Sequence, residues 1–219
     1  MKLTVTFSCI ALLLFSCTKF GKNIFVSGRV INPVTNKGIP DIEVDLLKTS
    51  ETFSLSSGFK SVKSVYTDEN GRFEINHLGG TKSYTVAVRT PASFQQLGWA
   101  TESGYNLQNL GVKIGKRINV DYHALPYGKL KTNIYNITCE GGSDSITIDF
   151  EYRIDKNAIS FGTTIKTGCF NMEGTPTSEV PMGYYDIIWT VTKPSSGTNT
   201  FTGEVFVPEN GIGEFTINY

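Results

Sequence analysis

Strict alternation of apolar and polar residues is the feature that most narrows the fold of this chain. Between residues 41 and 46, acidic and apolar residues alternate one by one, and residues 146–153 repeat the pattern with longer side chains. A period of two places every apolar side chain on one face of an extended strand, whereas a helix would scatter them around its surface. The 22 glycines, 14 phenylalanines and 10 tyrosines fit the same pattern, because aromatic residues favour strands and glycines favour turns. We therefore predict an all-β protein.

The length of the chain allows two small domains, since 219 residues can bury two separate cores. Residues 124–128 contain a proline and a glycine, and this pair predicts a domain boundary. We expect one β-sandwich at residues 24–122 and another at residues 123–219. The strand pattern alone indicates that the second sandwich is immunoglobulin-like.

The first residues have the form of a bacterial export signal. Lys2 precedes an apolar run at residues 5–15, which is shorter than the about 20 residues of a membrane span but has the length of a secretory signal core. The run ends in Ser16 and Cys17, which resemble the lipobox of bacterial lipoproteins. That resemblance implies a signal peptide at residues 1–16, a lipid on Cys17 and a tether at residues 17–23. An ordinary signal peptide with an incidental cysteine is the alternative.

Four segments of the first predicted domain share their order and spacing with a known family. They comprise residues 27–30, 38–44, 67–73 and 84–86. Together they resemble the carboxypeptidase regulatory-like domain. The resemblance implies a prealbumin-like β-sandwich with a non-catalytic role. Residues 49–60 depart from the family pattern, and we interpret them as a longer connection.

Residues for catalysis or metal binding do not occur in usable combinations. Neither His77 nor His123 is followed by a carboxylate at helical spacing, as the zinc site of a catalytic carboxypeptidase domain would need. The sequence also has no Gly-x-Ser-x-Gly elbow and no glycine-rich phosphate loop. Asp68, Glu69 and Asn70 supply fewer oxygens than the roughly six to eight that calcium takes, so we interpret them as turn residues. We predict no enzyme activity, no cofactor and no metal.

The four cysteines divide into two groups. Cys9 lies in the predicted signal peptide and Cys17 is the predicted lipid carrier, which leaves Cys139 and Cys169 in the second domain. An oxidising compartment favours a disulfide between these two. Two separate buried thiols are the alternative.

Three aromatic residues are candidates for ligand binding. Phe94, Trp99 and Tyr105 lie in residues 90–111, a polar stretch that we interpret as a connection between strands. Aromatic side chains exposed on loops often bind ligands. They also often plug the open end of a sandwich, and this second interpretation is favoured.

The functional prediction combines these observations. Because 20 basic and 20 acidic residues cancel, the chain has no long-range attraction for nucleic acid. We predict a non-catalytic lipoprotein of the bacterial cell envelope, anchored in the outer membrane by its lipid. It would act as a scaffold or binding module for an unknown envelope protein or glycan. The alternatives are a carbohydrate-binding surface lipoprotein of a glycan-uptake system and a hydrolase with an unfamiliar site.

Overall fold

The protein is described here by a computed structural model that covers residues 22–50, 58–154, 157–177 and 179–219. Cys17 and the predicted signal peptide lie outside these residues. The described residues form β-strands and no helix, which confirms the all-β prediction, and none of them belongs to a helix that could cross a membrane. The strands are β1 (Lys22–Asn32), β2 (Lys37–Gly38), β3 (Glu43–Ser50), β4 (Gly58–Tyr66), β5 (Arg72–Gly79), β6 (Tyr84–Arg89), β7 (Phe94–Thr101), β8 (Gly104–Asn106), β9 (Leu110–Val112), β10 (Arg117–Asn119), β11 (Tyr122–Tyr135), β12 (Ser145–Ile154), β13 (Asn157–Thr167), β14 (Asn171–Met172), β15 (Val180–Pro181), β16 (Gly183–Lys193), β17 (Gly197–Val207) and β18 (Ile212–Asn218).

The first core lies between two sheets. One sheet has the order β10-β1-β11-β7-β8, with β5 and β2 also paired to β1, and the other has the order β4-β3-β6-β9. Alternation along β1 buries Ile24, Val26 and Val30 completely, and alternation along β3 does the same for Val44 and Leu46. These side chains belong to one apolar cluster. The alternation noted in the sequence therefore points into this core.

The second core lies between an antiparallel sheet and a smaller layer. The sheet has the order β13-β12-β16-β17, and the facing layer consists of β18, β14 and β15 paired to the second half of β11. Ile146, Ile148 and Ile187 are fully buried between the two layers. The described residues thus form β-sandwiches, as the sequence pattern predicts.

Strand β11 belongs to both sandwiches. It pairs with β7 over residues 122–126 and with β18 over residues 129–135. Ala124 lies in the first core and the adjacent Leu125 in the second, because successive side chains of a strand point to opposite faces. The proline and the glycine of residues 124–128 therefore do not interrupt strand β11. Pro126 is the last residue paired with β7, where a missing N–H does not break the ladder.

The interpretation of residues 90–111 as a connection is wrong. Strands β7 and β8 lie in this stretch and β9 begins in it; β7 pairs with β11 along one side and with the short β8 along only part of the other. Its Gln95 and Gln96 are exposed on a sheet edge, so polarity there does not indicate a loop. Strands β3 and β4 likewise extend into the predicted connection at residues 49–60.

The predicted disulfide is confirmed, since Cys139 and Cys169 are bonded. The bond joins the loop after β11 to the loop after β13. Buried polar contacts support it: Asn136 Nδ2 donates to Asp144 Oδ2 at 2.9 Å, and the Gly168 amide donates to the Asp144 carbonyl at 2.7 Å. The loop that follows β11 is therefore held against the second sandwich.

Candidate functional site

The structure does not bring Phe94, Trp99 and Tyr105 onto one exposed surface. Trp99 is only 2% exposed and makes edge-on contacts with Phe73 and Tyr122, with ring centroids 6.3 and 5.1 Å away. Phe94 packs against the first core, whereas Tyr105 packs against the second. Trp99 therefore fills the interior of the first sandwich, and the three residues do not form a platform for a ligand.

A β-bulge in β7 directs neighbouring side chains of this strand into different cores. Pairing between β7 and β11 passes from Gly98–His123 to Gln96–Ala124, which leaves Leu97 unpaired. The extra residue shifts the alternation, so Trp99 enters the first core while Leu97 packs against the second. Gly98 has a φ of 112°, and a Cβ there would lie 2.4 Å from the Asn106 carbonyl oxygen. Only glycine fits this position without displacing β8.

A large opening lies where the two sandwiches meet. This junction cleft has a volume of about 850 Å³. Leu97 and Tyr127 contribute from the shared sheet, and Tyr152 and Phe161 from the second sandwich. Binding sites often lie at such domain boundaries.

Tyr152 of the junction cleft and its buried neighbour Tyr185 are held by backbone carbonyl groups. The Tyr152 hydroxyl donates to the Met182 carbonyl and the Tyr185 hydroxyl to the Pro181 carbonyl, both at 2.7 Å. Burial raises the pKa of Tyr185, which therefore remains a neutral donor at physiological pH. The ring of Phe161 packs 6.2 Å from Tyr152 and is 48% exposed. The cleft thus presents an apolar wall.

Some polar groups of the junction cleft bond to each other, and others are exposed at its opening. The Tyr127 hydroxyl donates to Gln95 Oε1 at 3.2 Å across the sheet. Lys129 and Glu179 line the opening with exposed side chains. The cleft can therefore offer apolar contact and hydrogen bonds to a ligand.

The buried charges are used within the fold. Asp45 is 1% exposed and accepts hydrogen bonds from Ser61, Ser64 and Arg89. Burial alone would raise the pKa of this carboxyl, but the hydrogen bonds outweigh burial and hold the pKa below its ordinary value.

Among the described residues, the exposed carboxylate of Asp68 does not form a metal site. Its Oδ1 accepts hydrogen bonds from the backbone amides of Asn70 and Arg72 at 2.8 Å, so it stabilises a turn. Within the described ranges, no group of three or more His, Cys, Asp or Glu side chains could hold a metal ion.

The cleft residues were not identified from the sequence. Tyr127 and Phe161 belong to separate strands, and nothing in their local pattern distinguishes them from other strand aromatics. The only local signal was the proline and glycine beside Tyr127. Gly128 is required because a Cβ there would lie 2.2 Å from the Pro208 carbonyl oxygen.

Comparisons with known proteins give fold-level likeness only. No known family matches the sequence, and no curated protein matches it. Among solved structures, the Bacillus anthracis TIE protein is 13% identical with a TM-score of 0.39, over 90% of this chain and 34% of that one. A streptococcal ancillary pilin is 15% identical with a TM-score of 0.31, over 90% of this chain and 62% of that one. A DUF3823 family protein from Bacteroides ovatus is 10% identical with a TM-score of 0.28, over 85% of this chain and 100% of that one. This chain thus spans about a third of the first of these proteins, and likeness at this level bears on neither family nor function.

Proposed function

We propose that this protein is a non-catalytic, lipid-anchored module of the bacterial cell envelope, which acts as a scaffold or binding module. The observation that carries the proposal is the junction, at which β11 runs through both sandwiches and a cleft opens beside it. The four segments that resemble the carboxypeptidase regulatory-like domain support a non-catalytic role for the first sandwich.

Packing at the junction supports a fixed arrangement of the two sandwiches. Val34, Leu97 and Tyr105 come from the first sandwich but pack against the second core. Backbone hydrogen bonds add to this, since the Met182 amide donates to the Pro126 carbonyl at 2.8 Å and the Asn210 amide to the Tyr127 carbonyl at 2.9 Å. A cleft held in one shape loses less conformational entropy when it binds.

The predicted lipid would place the first sandwich close to the membrane. Strand β1 begins at Lys22, five residues after Cys17. Even a fully extended segment of that length spans at most about 18 Å. Two or more acyl chains on one cysteine hold a protein firmly at a bilayer. The second sandwich would then face away from the membrane, with the junction cleft between the two.

The anchor is tested by labelling cells with a clickable fatty acid and separating membranes from soluble protein. We expect wild-type protein to be labelled and to sediment with membranes. Cys17→Ala should lose the label and appear in the soluble fraction, while the matched control Cys9→Ala should keep both properties. If Cys17→Ala remains labelled and sediments with membranes, the proposed anchor is wrong.

A further inference from the structure

A second recess lies at the end of the second sandwich that is remote from the junction. This end groove, of about 220 Å³, opens between β17 and β18. Its lining includes Trp189, Phe201, Asn199, Asn218, Ser196 and Thr138. No residue of the first sandwich lines it, so it is separate from the junction cleft.

Two stacked aromatic rings form the floor of the end groove. Trp189 and Phe201 have ring centroids 5.7 Å apart and planes inclined by 22°. Phe215 supports Trp189 from the side, also at 5.7 Å. Gly203 makes room for this support, because a Cβ there would lie 2.4 Å from the Phe215 ring. Phe201 is 47% exposed, so part of the stack is open to solvent.

The rim of the end groove is polar and uncharged. Ser196, Asn199, Asn218 and Thr138 are all exposed and carry hydroxyl or amide groups, which both donate and accept hydrogen bonds. The Asn199 amide nitrogen donates to the Ser196 carbonyl at 3.2 Å, and this bond fixes the turn that precedes β17. Such groups suit a ligand with many hydroxyls.

Lys193 is the one charged side chain among the described residues that line the end groove, and its ammonium group is paired inside the protein. Lys193 is 7% exposed, and its Nζ donates to Asn136 Oδ1 at 3.1 Å and to both oxygens of Thr138 at 2.7 Å. The Asp144 carboxylate, whose Oδ2 accepts from the Asn136 amide, balances that charge. The Lys193 ammonium group is therefore engaged by oxygens of the protein itself.

The wall of the end groove is held in place before any ligand binds. Glu140 accepts hydrogen bonds from the backbone amide and the hydroxyl of Ser195, which ties the turn before β17 to the loop after β11. The Cys139–Cys169 disulfide fixes the same loop. A preformed recess reduces the entropy lost on binding.

We propose that the end groove binds one pyranose ring of an uncharged glycan. The ring would stack on the open face of Phe201, and the amide and hydroxyl groups of Asn199 and Asn218 and their neighbours would bind its hydroxyls. The volume supports a single ring, because it is below the about 300 Å³ at which pockets for drug-sized ligands begin. This inference rests on the proposed role as a binding module and names the class of ligand.

Tryptophan fluorescence can test the proposal on the whole folded chain. The chain has two tryptophans, and Trp99 is buried in the first sandwich, so a glycan-dependent change reports Trp189. The probes are maltohexaose, xylohexaose, mannohexaose and laminarihexaose, each titrated separately. We expect saturable binding of at least one probe, with an affinity that does not change when salt is raised.

Variants locate the binding. Phe201→Ala should weaken binding about tenfold, since it removes the stacking face, and Asn199→Ala should weaken it while leaving the aromatic floor intact. Phe206→Ala is the matched control, because Phe206 is a half-exposed phenylalanine of the same strand on the opposite face. We expect its affinity to equal that of the wild type. Thermal unfolding of each variant checks that it is folded.

Several outcomes would overturn the inference. The absence of saturable binding by every probe would do so, as would equal affinity of Phe201→Ala and wild type. Binding that weakens with salt would indicate a charged ligand and reject an uncharged one. Loss of binding in Phe161→Ala but not in Phe201→Ala would move the glycan to the junction cleft, which rejects the end groove but retains the proposed function. Failure of the proposed anchor is detected separately, by the fatty-acid label on Cys17.

Discussion

Leu125→Ala tests whether the two sandwiches form one cooperative unit. Leu125 is completely buried in the second core, although the residue before it lies in the first core and the same strand continues through both. Removing its side chain leaves a cavity beside the strand that joins the sandwiches. Because β11 is paired with β7 over residues 122–126 and with β18 from Lys129 onward, the surrounding backbone can close this cavity only in part.

The expected effect follows from the burial of this leucine. Truncation of a buried leucine to alanine usually costs about 2–5 kcal/mol, and we expect about 3 kcal/mol here. For a chain of this size, each kcal/mol lowers the midpoint of thermal unfolding by about 2–4 °C. The midpoint should therefore fall by about 6–12 °C. If the junction is rigid, this shift applies to a single transition that includes both sandwiches.

Differential scanning calorimetry measures both the shift and the number of transitions. Leu78→Ala is the matched control, because Leu78 is 60% exposed on β5 and its truncation should change stability by less than about 0.5 kcal/mol. Two separate transitions, of which only one moves in Leu125→Ala, would refute the cooperative junction. A shift as small as that of Leu78→Ala would refute the packing argument.

Three further predictions concern stability. Replacing Cys139 and Cys169 together by alanine should lower the free energy of unfolding by about 3.7 kcal/mol at 25 °C, because the bond closes a loop with a sequence separation of 30 residues. Urea denaturation measures this free energy, and a loss below about 1 kcal/mol would contradict the prediction. The lowered pKa of Asp45 contributes stability that is present above its ordinary value of 3.8 and is lost as pH falls through the lowered pKa. Asp45→Asn should therefore be less stable than wild type at pH 7 but lose less stability on acidification to pH 3, and parallel pH profiles in urea denaturation would reject this assignment. Gly98→Ala should lower the free energy of unfolding by about 1–3 kcal/mol more than Gly104→Ala does. Both glycines have a positive φ, but only Gly98 has backbone atoms within 4 Å of the added Cβ. Equal midpoints of the two variants in thermal denaturation would exclude crowding as the cause.

Local alternation was enough to predict the class of the fold and the direction of many side chains. Ile146, Ile148 and Tyr152 share one parity in the sequence, and all three are buried in the second core. Parity along a strand is a property of neighbouring residues, so it can be recognised without knowledge of any partner strand. The pairing of Cys139 with Cys169 was predictable for a different reason, since no other cysteines remained in the second domain.

The candidate sites depend on which strands become neighbours, and local pattern does not contain that information. Leu97 and Trp99 have the same parity in the sequence, yet the bulge beside Gly98 directs them into different cores. Residues 90–111 were misinterpreted because their strands become recognisable only through pairing with distant or short partners: β7 with β11, β8 with β7 and β9 with β6.

The end groove shows the same limit. Its lining joins Thr138, Trp189, Phe201 and Asn218, which belong to four separate segments of the chain. The sequence alone determined that apolar side chains lie on one face of each strand and that a disulfide could form. Only the tertiary structure decided which faces meet and where they leave an opening, because strand pairing and sheet packing join residues that are distant along the chain.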